Sequence, residues 1–501
     1  MSISKSMKYN YNITNQNILK TSAEIRFGQN PFLKAILLSL SLIFVLTLSS
    51  STCTAQEKPN IVFIFIDDLG WTDVGYMGSS YYETPNIDRL AKQGMIFTNA
   101  YANAANCAPT RASLLTGQYS PRHGVFTVAN PARGEAKDRR LVPIVNSRKI
   151  SPDKITIAEA LKSAGYVSAA IGKWHVGNDP KEEGFDFSVN KYEIGFENGH
   201  FDKKGDYLTD RFTNDAIQFI TENKNKPFLL YLAHDAVHTP IQAKKDIISK
   251  YESKNPDGCH SHATYAAMVE SVDQSVGKIN KTLEDLGLSK NTILIFFSDN
   301  GGHGTYTCQK PLRGGKGMFY EGGIRVPMFA YWPEKIKSGT SCDDPVISTD
   351  FYTTFLDLAG AKSPENYPLD GASIVPLFKG SKSINRDAIY WHFPAYLNSY
   401  KGLQKDSRDT IFRTRPVSVV RKGDWKLLMF HEEWVLDGGR EKMDTNNAIE
   451  LYNLTNDIGE EHNLAQTETK KRDELLDQLI DWQNEINAPI PSKPNSEYRK
   501  N

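Results

Sequence analysis

Cys107-Ala108-Pro109-Thr110-Arg111 sets a thiol and a permanent cation four residues apart. Ala112-Ser113-Leu114-Leu115-Thr116-Gly117 follows at once. Residues at i and i+4 share one face of a helix. Pro109 has the φ of a first-turn residue and needs no amide donor there. A helix starting here would hold Cys107 and Arg111 one turn apart at its positive end, a ready site for an anion. The chemistry this suits is the handling of an anionic group, with Cys107 as the reactive side chain.

Two apolar runs end in oxygen ligands. Ile61 to Ile66 runs into Asp67-Asp68, and Ile293 to Phe297 runs into Ser298-Asp299-Asn300-Gly301-Gly302. Open α/β sheets form sites at the carboxyl ends of their strands. Asp67, Asp68, Asp299 and Asn300 would therefore bring three carboxylates and one amide oxygen together. Uncompensated carboxylates in a partly buried cleft repel one another, and a hard divalent cation resolves this. An all-oxygen set favours Ca²⁺ or Mg²⁺ over zinc.

Fixed cations must surround an oxyanion that carries charge on several atoms. Gly172-Lys173-Trp174-His175 follows the short apolar run Ala169 to Ile171. His234-Asp235-Ala236-Val237-His238-Thr239-Pro240 follows Phe228 to Leu232. Arg313-Gly314-Gly315-Lys316-Gly317 offers a cation flanked by glycines. The last segment lacks the Walker spacing and its Ser/Thr, which excludes a nucleotide loop. His123 reads as a supporting residue, and Glu321 to Pro327 as structural.

Together these segments resemble the type I, formylglycine-dependent sulfatases. Their signature is Cys-x-Pro-Ser-Arg followed by an apolar pair and Thr-Gly; here Thr110 stands where Ser is commoner. The resemblance covers about residues 58 to 380 and, more loosely, the rest. It implies that a maturation enzyme oxidises Cys107 to formylglycine, whose hydrate is the nucleophile. It implies one Ca²⁺ on Asp67, Asp68, Asp299 and Asn300. It also assigns sulfate binding and proton transfer to Arg111, Lys173, His175, His238 and Lys316, with His238 a better match than His234. A sulfated polysaccharide or oligosaccharide is the implied substrate. Two alternatives stand beside this: a phosphodiesterase or phosphonate monoester hydrolase of the same superfamily, and a non-catalytic carbohydrate-binding relative.

The elements that must position these residues are legible too. Apolar, β-branched runs alternate with helical patterns, as in a sheet buried on both faces. Helices are predicted from a Thr84-Pro85 cap to Gly94, over Ile155 to Ala164, and over about Thr264 to Leu286. The expected fold is α/β: a large, mostly parallel sheet flanked by helices, alkaline-phosphatase-like by resemblance. A smaller C-terminal antiparallel sheet is predicted from Val417 to Val420, Trp425 to Phe430 and Ile449 to Leu454, closed by a helix over Thr467 to Ile486. Trp391, His392, Phe393, Tyr396 and Tyr400 are either core or faces for sugar rings.

The expected organisation is a signal peptide over 1–55, a catalytic domain over 56–380 and a C-terminal subdomain over 381–501. Basic residues precede an apolar run from Ala35 to Leu48, too short for a confident membrane span. Export to the periplasm or medium follows, with lipid anchoring through Cys53 as the other option and no transmembrane span in the mature protein. The chain has 501 residues with 59 basic and 59 acidic side chains, so no global field draws it to nucleic acid. Of the five cysteines, Cys259, Cys308 and Cys342 remain after Cys53 and Cys107, enough for one disulfide whose pairing spacing does not choose.

Overall fold

The strands Asn60–Ile66, Phe228–His234 and Thr292–Ser298 are buried at every position. Side chains alternate across a strand, so each must meet apolar partners on both faces. Ile61, Phe63 and Phe65 enter one core and Val62, Ile64 and Ile66 the other. These strands are the middle of an eight-stranded sheet. Its order is Phe187–Val189, Val167–Gly172, Phe228–His234, Asn60–Ile66, Thr292–Ser298, Met328–Tyr331, Met95–Phe97 and Thr340–Cys342. The pairs are parallel except those made by Met328–Tyr331, which runs against both neighbours. This computed structural model describes residues 58–197, 199–399 and 406–500. The leader with its apolar run, Cys53 and Tyr400 lie outside the described residues.

Register positions the site. Ile66 pairs with His234 on one side and Ser298 on the other. Three adjacent parallel strands therefore end level, and whatever follows each emerges on one edge of the sheet. The neighbouring strand Val167–Gly172 ends beside Ala233 on that edge.

The predicted helices form, with shorter ends in two cases. Pro85–Gln93 starts after Thr84, but the Thr84 hydroxyl does not cap it; it donates to Asp88 and accepts from the Gly75 amide. Ile157–Lys162 replaces the longer expected helix, because Thr156 and Glu159 form a capping box that sets its start. Ala263–Asp285 buries its expected stripe, including Tyr265, Met268, Val272, Val276 and Ile279. Among the described residues no helix is long and apolar enough to cross a membrane.

The C-terminal part is an antiparallel sheet in the order Ile389–Phe393, Val417–Lys422, Trp425–Phe430 and Ile449–Asn453. The helix Thr469–Glu485 seats Leu475, Leu476, Leu479 and Trp482 on it. Tyr101, Met318 and Phe319 join that same core, so the smaller sheet is fused to the larger layer. Lys58–Asn501 packs as one unit. The aromatic run resolves as core. Trp391 is buried and donates its indole N–H to the Ala102 carbonyl at 2.7 Å, and Tyr396 is buried with its hydroxyl on Glu432 at 2.6 Å. Neither offers a face to a sugar. Cys259 and Cys308 form a disulfide, while Cys342 is a buried free thiol.

Candidate active site

The helix Cys107–Thr116 begins at the thiol, as its spacing predicts, with Pro109 in the first turn and Gly117 ending it in the left-handed region. All ten residues are buried. Thr110 is accommodated without strain on its neighbours: its hydroxyl donates to the Ala104 carbonyl and accepts from the Ala104 amide, both at 3.1 Å. The Asn106 side chain turns away from the helix and donates to Thr127 at 3.0 Å.

Four strand ends supply the rest. Asp67 and Asp68 follow Asn60–Ile66, Lys173 and His175 follow Val167–Gly172, His238 follows Phe228–His234, and Asp299 and Asn300 follow Thr292–Ser298. Gly172 is required at its position. Its φ is +108°, and a Cβ there would lie 1.9 Å from the Ala233 carbonyl oxygen. Gly301 serves differently: a Cβ would lie 1.8 Å from the Gly322 oxygen, so only glycine lets the 314–323 loop come close behind Asn300. That loop delivers Lys316.

The buried side chains interlock. Arg111 donates to Asp299 at 2.7 and 3.1 Å and to the Lys173 carbonyl at 2.7 Å, and its guanidinium lies 4.8 Å from the Phe65 ring centre. Lys173 pairs with Asp67. Lys316 pairs with Asp68 at 2.6 Å, and His238 Nε2 stands 3.7 Å from the same oxygen. Asn300 donates to the other Asp68 oxygen at 2.8 Å. Ligand atoms of Asp67, Cys107 and Asp299 lie within 4.8 Å of one another, as do those of Asp67, Asp68 and His238.

This geometry amends the charge argument for a cation. Asp67, Asp68 and Asp299 are already matched by Arg111, Lys173 and Lys316. What still calls for an ion is two buried oxygens, Asp67 Oδ1 and Asn300 Oδ1, that no donor among the described residues reaches. Buried acceptors left without a partner are costly. Oxygen donors of this kind suit a hard cation, so the residues present fit Ca²⁺ in their chemistry. A divalent ion would leave the cluster at net +2, which suits an anionic ligand. A second candidate cluster, Cys259, His260 and Cys308, is no metal site, because its two thiols are bonded to each other.

Titration follows the same field. Burial alone would raise Asp67, but Lys173, His238, Arg111 and Lys316 outweigh it and hold the carboxyl well below its ordinary value. Burial, with the charges of Lys173 and Arg111, pushes His175 down to about 3, so its imidazole is neutral at pH 7. Its Nδ1 has no hydrogen-bond partner among the described residues.

Above the cluster opens a cleft of about 910 Å³, with Cys107, Lys173, His175, His238 and Lys316 in its lining. All ten residues singled out in the sequence meet here. His234 does not: it turns into the core and bonds Ser275 at 2.9 Å. Arg313 also turns away, stacking over Tyr320. His123 bonds Ser113 beneath the helix, as a supporting residue would. Sequence reading missed Arg133, Arg148, Lys191, His303 and Arg413 in the cleft wall. His303 was within reach, three residues beyond Asn300 on the same glycine loop. The others carry no local signal.

Known proteins share this chain's pattern. The family profile described as Sulfatase matches residues 59–361, and the one described as N-sulphoglucosamine sulphohydrolase, C-terminal, matches residues 315–485. The chain is 32% identical to a protein named Sulfatase from Formosa agariphila, across 91% of this chain and 93% of that one. It is 31% identical to N-acetylgalactosamine-6-sulfatase of Homo sapiens, across 70% of this chain and 72% of that one. The crystal structure of Ps i-CgsB superposes with a TM-score of 0.68 at 32% identity, over 87% of this chain and 95% of that chain. The same protein has been solved in complex with k-i-k-neocarrahexaose.

Proposed function

The chain belongs to the sulfatase family and is a sulfuric ester hydrolase; on that footing, we propose that it desulfates a polysaccharide or oligosaccharide with position 107 carried as formylglycine. The observation that carries this is the meeting of Cys107, Lys173, His175, His238 and Lys316 around one cleft, above Arg111, Asp67, Asp68, Asp299 and Asn300. Homologous glycan sulfatases and a relative solved with a carrageenan oligosaccharide support the substrate class.

The division of labour follows from position. Formylglycine at 107, once hydrated, supplies a hydroxyl nucleophile and allows a covalent route in two steps. Asp67, Asp68, Asp299 and Asn300 would hold Ca²⁺, which would supply positive charge to the site. Lys173 and Lys316 reach the cleft and bind sulfate oxygens, and Arg111 from below fixes Asp299 and the Lys173 backbone. His238, oriented by its Nδ1–H to the Thr239 carbonyl at 2.7 Å, turns Nε2 toward Lys316's partner Asp68 and, in its imidazolium form, gives the Nε2 proton to the departing alcohol. His175, neutral and on the cleft wall, accepts the proton whose loss releases sulfate. We further infer export to the periplasm or medium from the leader, with Cys53 as the possible lipid site.

Mass spectrometry of the peptide containing residue 107, from a host that has the maturation enzyme, tests the nucleophile. Formylglycine is the expected mass; an unmodified thiol in active protein refutes it. The same preparation separates the alternatives. It should turn over sulfate esters in preference to aryl phosphodiesters, and Ca²⁺ should raise the Tm of chelator-treated protein. A preference for the phosphodiester marks the superfamily relative, and binding without turnover marks the carbohydrate-binding one.

A further inference from the structure

The cleft is larger and more basic than one sulfated ring requires. At about 910 Å³ it lies near the top of the ordinary range for ligand sites, roughly 300–1,000 Å³. Against Asp179 and Asp235, its outer walls set Arg133, Arg148, Lys191 and Arg413. Asp235 is taken by Lys191 at 2.9 Å. Among the described residues, Arg133 and Arg148 have no carboxylate partner. Arg133 gives one N–H to the Val128 carbonyl at 2.7 Å, and Arg148 is exposed. Arginine forks match sulfate oxygens as they match phosphate oxygens.

These two arginines are held in place relative to residue 107. Asn106, next to it, bonds Thr127; the Asn146 side chain accepts from the Phe126 and Thr127 amides and donates to the Thr127 and Ala129 carbonyls. The segment from 125 to 149 is thus closed near its two ends by Asn146, and its first turn is tied to the start of the nucleophile helix through Thr127. Beyond Arg148 a second depression of about 400 Å³ continues past Asn130, Pro143 and Val145, and Arg148 lines both. Tyr192, also in the cleft lining, is 67% exposed, with Lys191 Nζ 5.3 Å from its ring centre, and its remaining surface suits a sugar ring.

We propose that Arg133 and Arg148 form a second anion subsite, which binds a further sulfate group on the same glycan chain. The substrate is then a multiply sulfated oligosaccharide that extends past Arg148, with Tyr192 stacked on a ring. This inference rests on the sulfatase reading for what occupies the inner site, but not for the outer one.

Calorimetry on the full-length protein tests it with three probes: a dextran sulfate hexasaccharide, glucose 6-sulfate and inorganic sulfate. The wild type should bind the hexasaccharide at least tenfold more tightly than glucose 6-sulfate. The double variant Arg133→Gln/Arg148→Gln should lose that advantage and keep its affinity for inorganic sulfate and its Tm. Arg148→Lys should lose less than Arg148→Gln, since charge without the fork remains. Unchanged hexasaccharide affinity in the double variant overturns the subsite, as does an equal loss for inorganic sulfate. Sulfate release from sulfated oligosaccharides is followed in parallel. A protein whose arginines bind the hexasaccharide but which hydrolyses no sulfate ester upholds the subsite and fails the functional reading.

Discussion

Two clusters of buried charge among the described residues differ in kind, and one of them lies under the cleft. The first joins Asp67, Asp68 and Asp299 to Arg111, Lys173 and Lys316 under the cleft. The second lies where the two sheets meet. There Lys426 is shared by Glu321 at 2.9 Å and Glu460 at 2.8 Å, all fully buried. Glu321 also accepts from Tyr101 at 2.6 Å, and Glu460 accepts from the Glu321 amide at 2.6 Å. Tyr101 and Glu321 come from the large layer, Lys426 and Glu460 from the smaller one. The second cluster is closed and joins the layers. The first opens to solvent on one side and keeps Asp67 Oδ1 and Asn300 Oδ1 without donors. Buried charge therefore does not mark a site by itself. Access to a cleft does.

Three perturbations sharpen the contrast. Cys107→Ala should abolish sulfate release while leaving Tm and circular dichroism unchanged, because a small buried thiol is replaced by a small apolar group. Residual turnover near the wild-type rate would remove residue 107 from the chemistry. Lys426→Ala should do the reverse. It strands two buried carboxylates, which costs about 3–5 kcal/mol in denaturant unfolding, while sulfate release by the protein that remains folded persists. Stability equal to wild type would erase the distinction between the clusters.

Glu460→Gln is the mildest. Burial, reinforced by the charge of Glu321 and opposed by Lys426, raises Glu460 to about 7, whereas Glu321, with Lys426, Arg325 and Arg421 outweighing its burial, is held at about 2. A raised carboxyl takes up a proton on folding. The stability this confers is complete below the ordinary value near 4.5 and is lost as pH rises through about 7. Wild-type Tm should fall across that window more steeply than that of Glu460→Gln. Parallel curves would show that Glu460 does not titrate there.

The same contrast explains what the sequence makes legible. Each half of the reaction site is written locally: an apolar run, then the ligand, as in Ile61 to Asp68 or Ile293 to Asn300. The closed cluster has no such writing. Glu321 opens a segment that reads as structural, but Lys426 and Glu460 sit in unremarkable surroundings, and lysine and glutamate are ordinarily solvated. Trp391 and Tyr396 were ambiguous in the opposite sense, since an aromatic run reads alike whether it faces sugar or core. The disulfide was equally silent, because three cysteines allow three pairings and only the approach of the 253–262 and 303–313 segments selects Cys259 with Cys308.

Residue types and their short-range order thus determined the strand and helix segments, the helix that presents residue 107, and the ten side chains of the inner site. Hydrophobic period, turn chemistry and capping act over a few residues, which a sequence displays directly. Tertiary structure decided which strands stand side by side, that Met328–Tyr331 runs antiparallel, and that Arg133 and Arg148 face the cleft. Those outcomes depend on packing between segments up to hundreds of residues apart. No local pattern encodes them, because the free energy that selects them belongs to the assembled core.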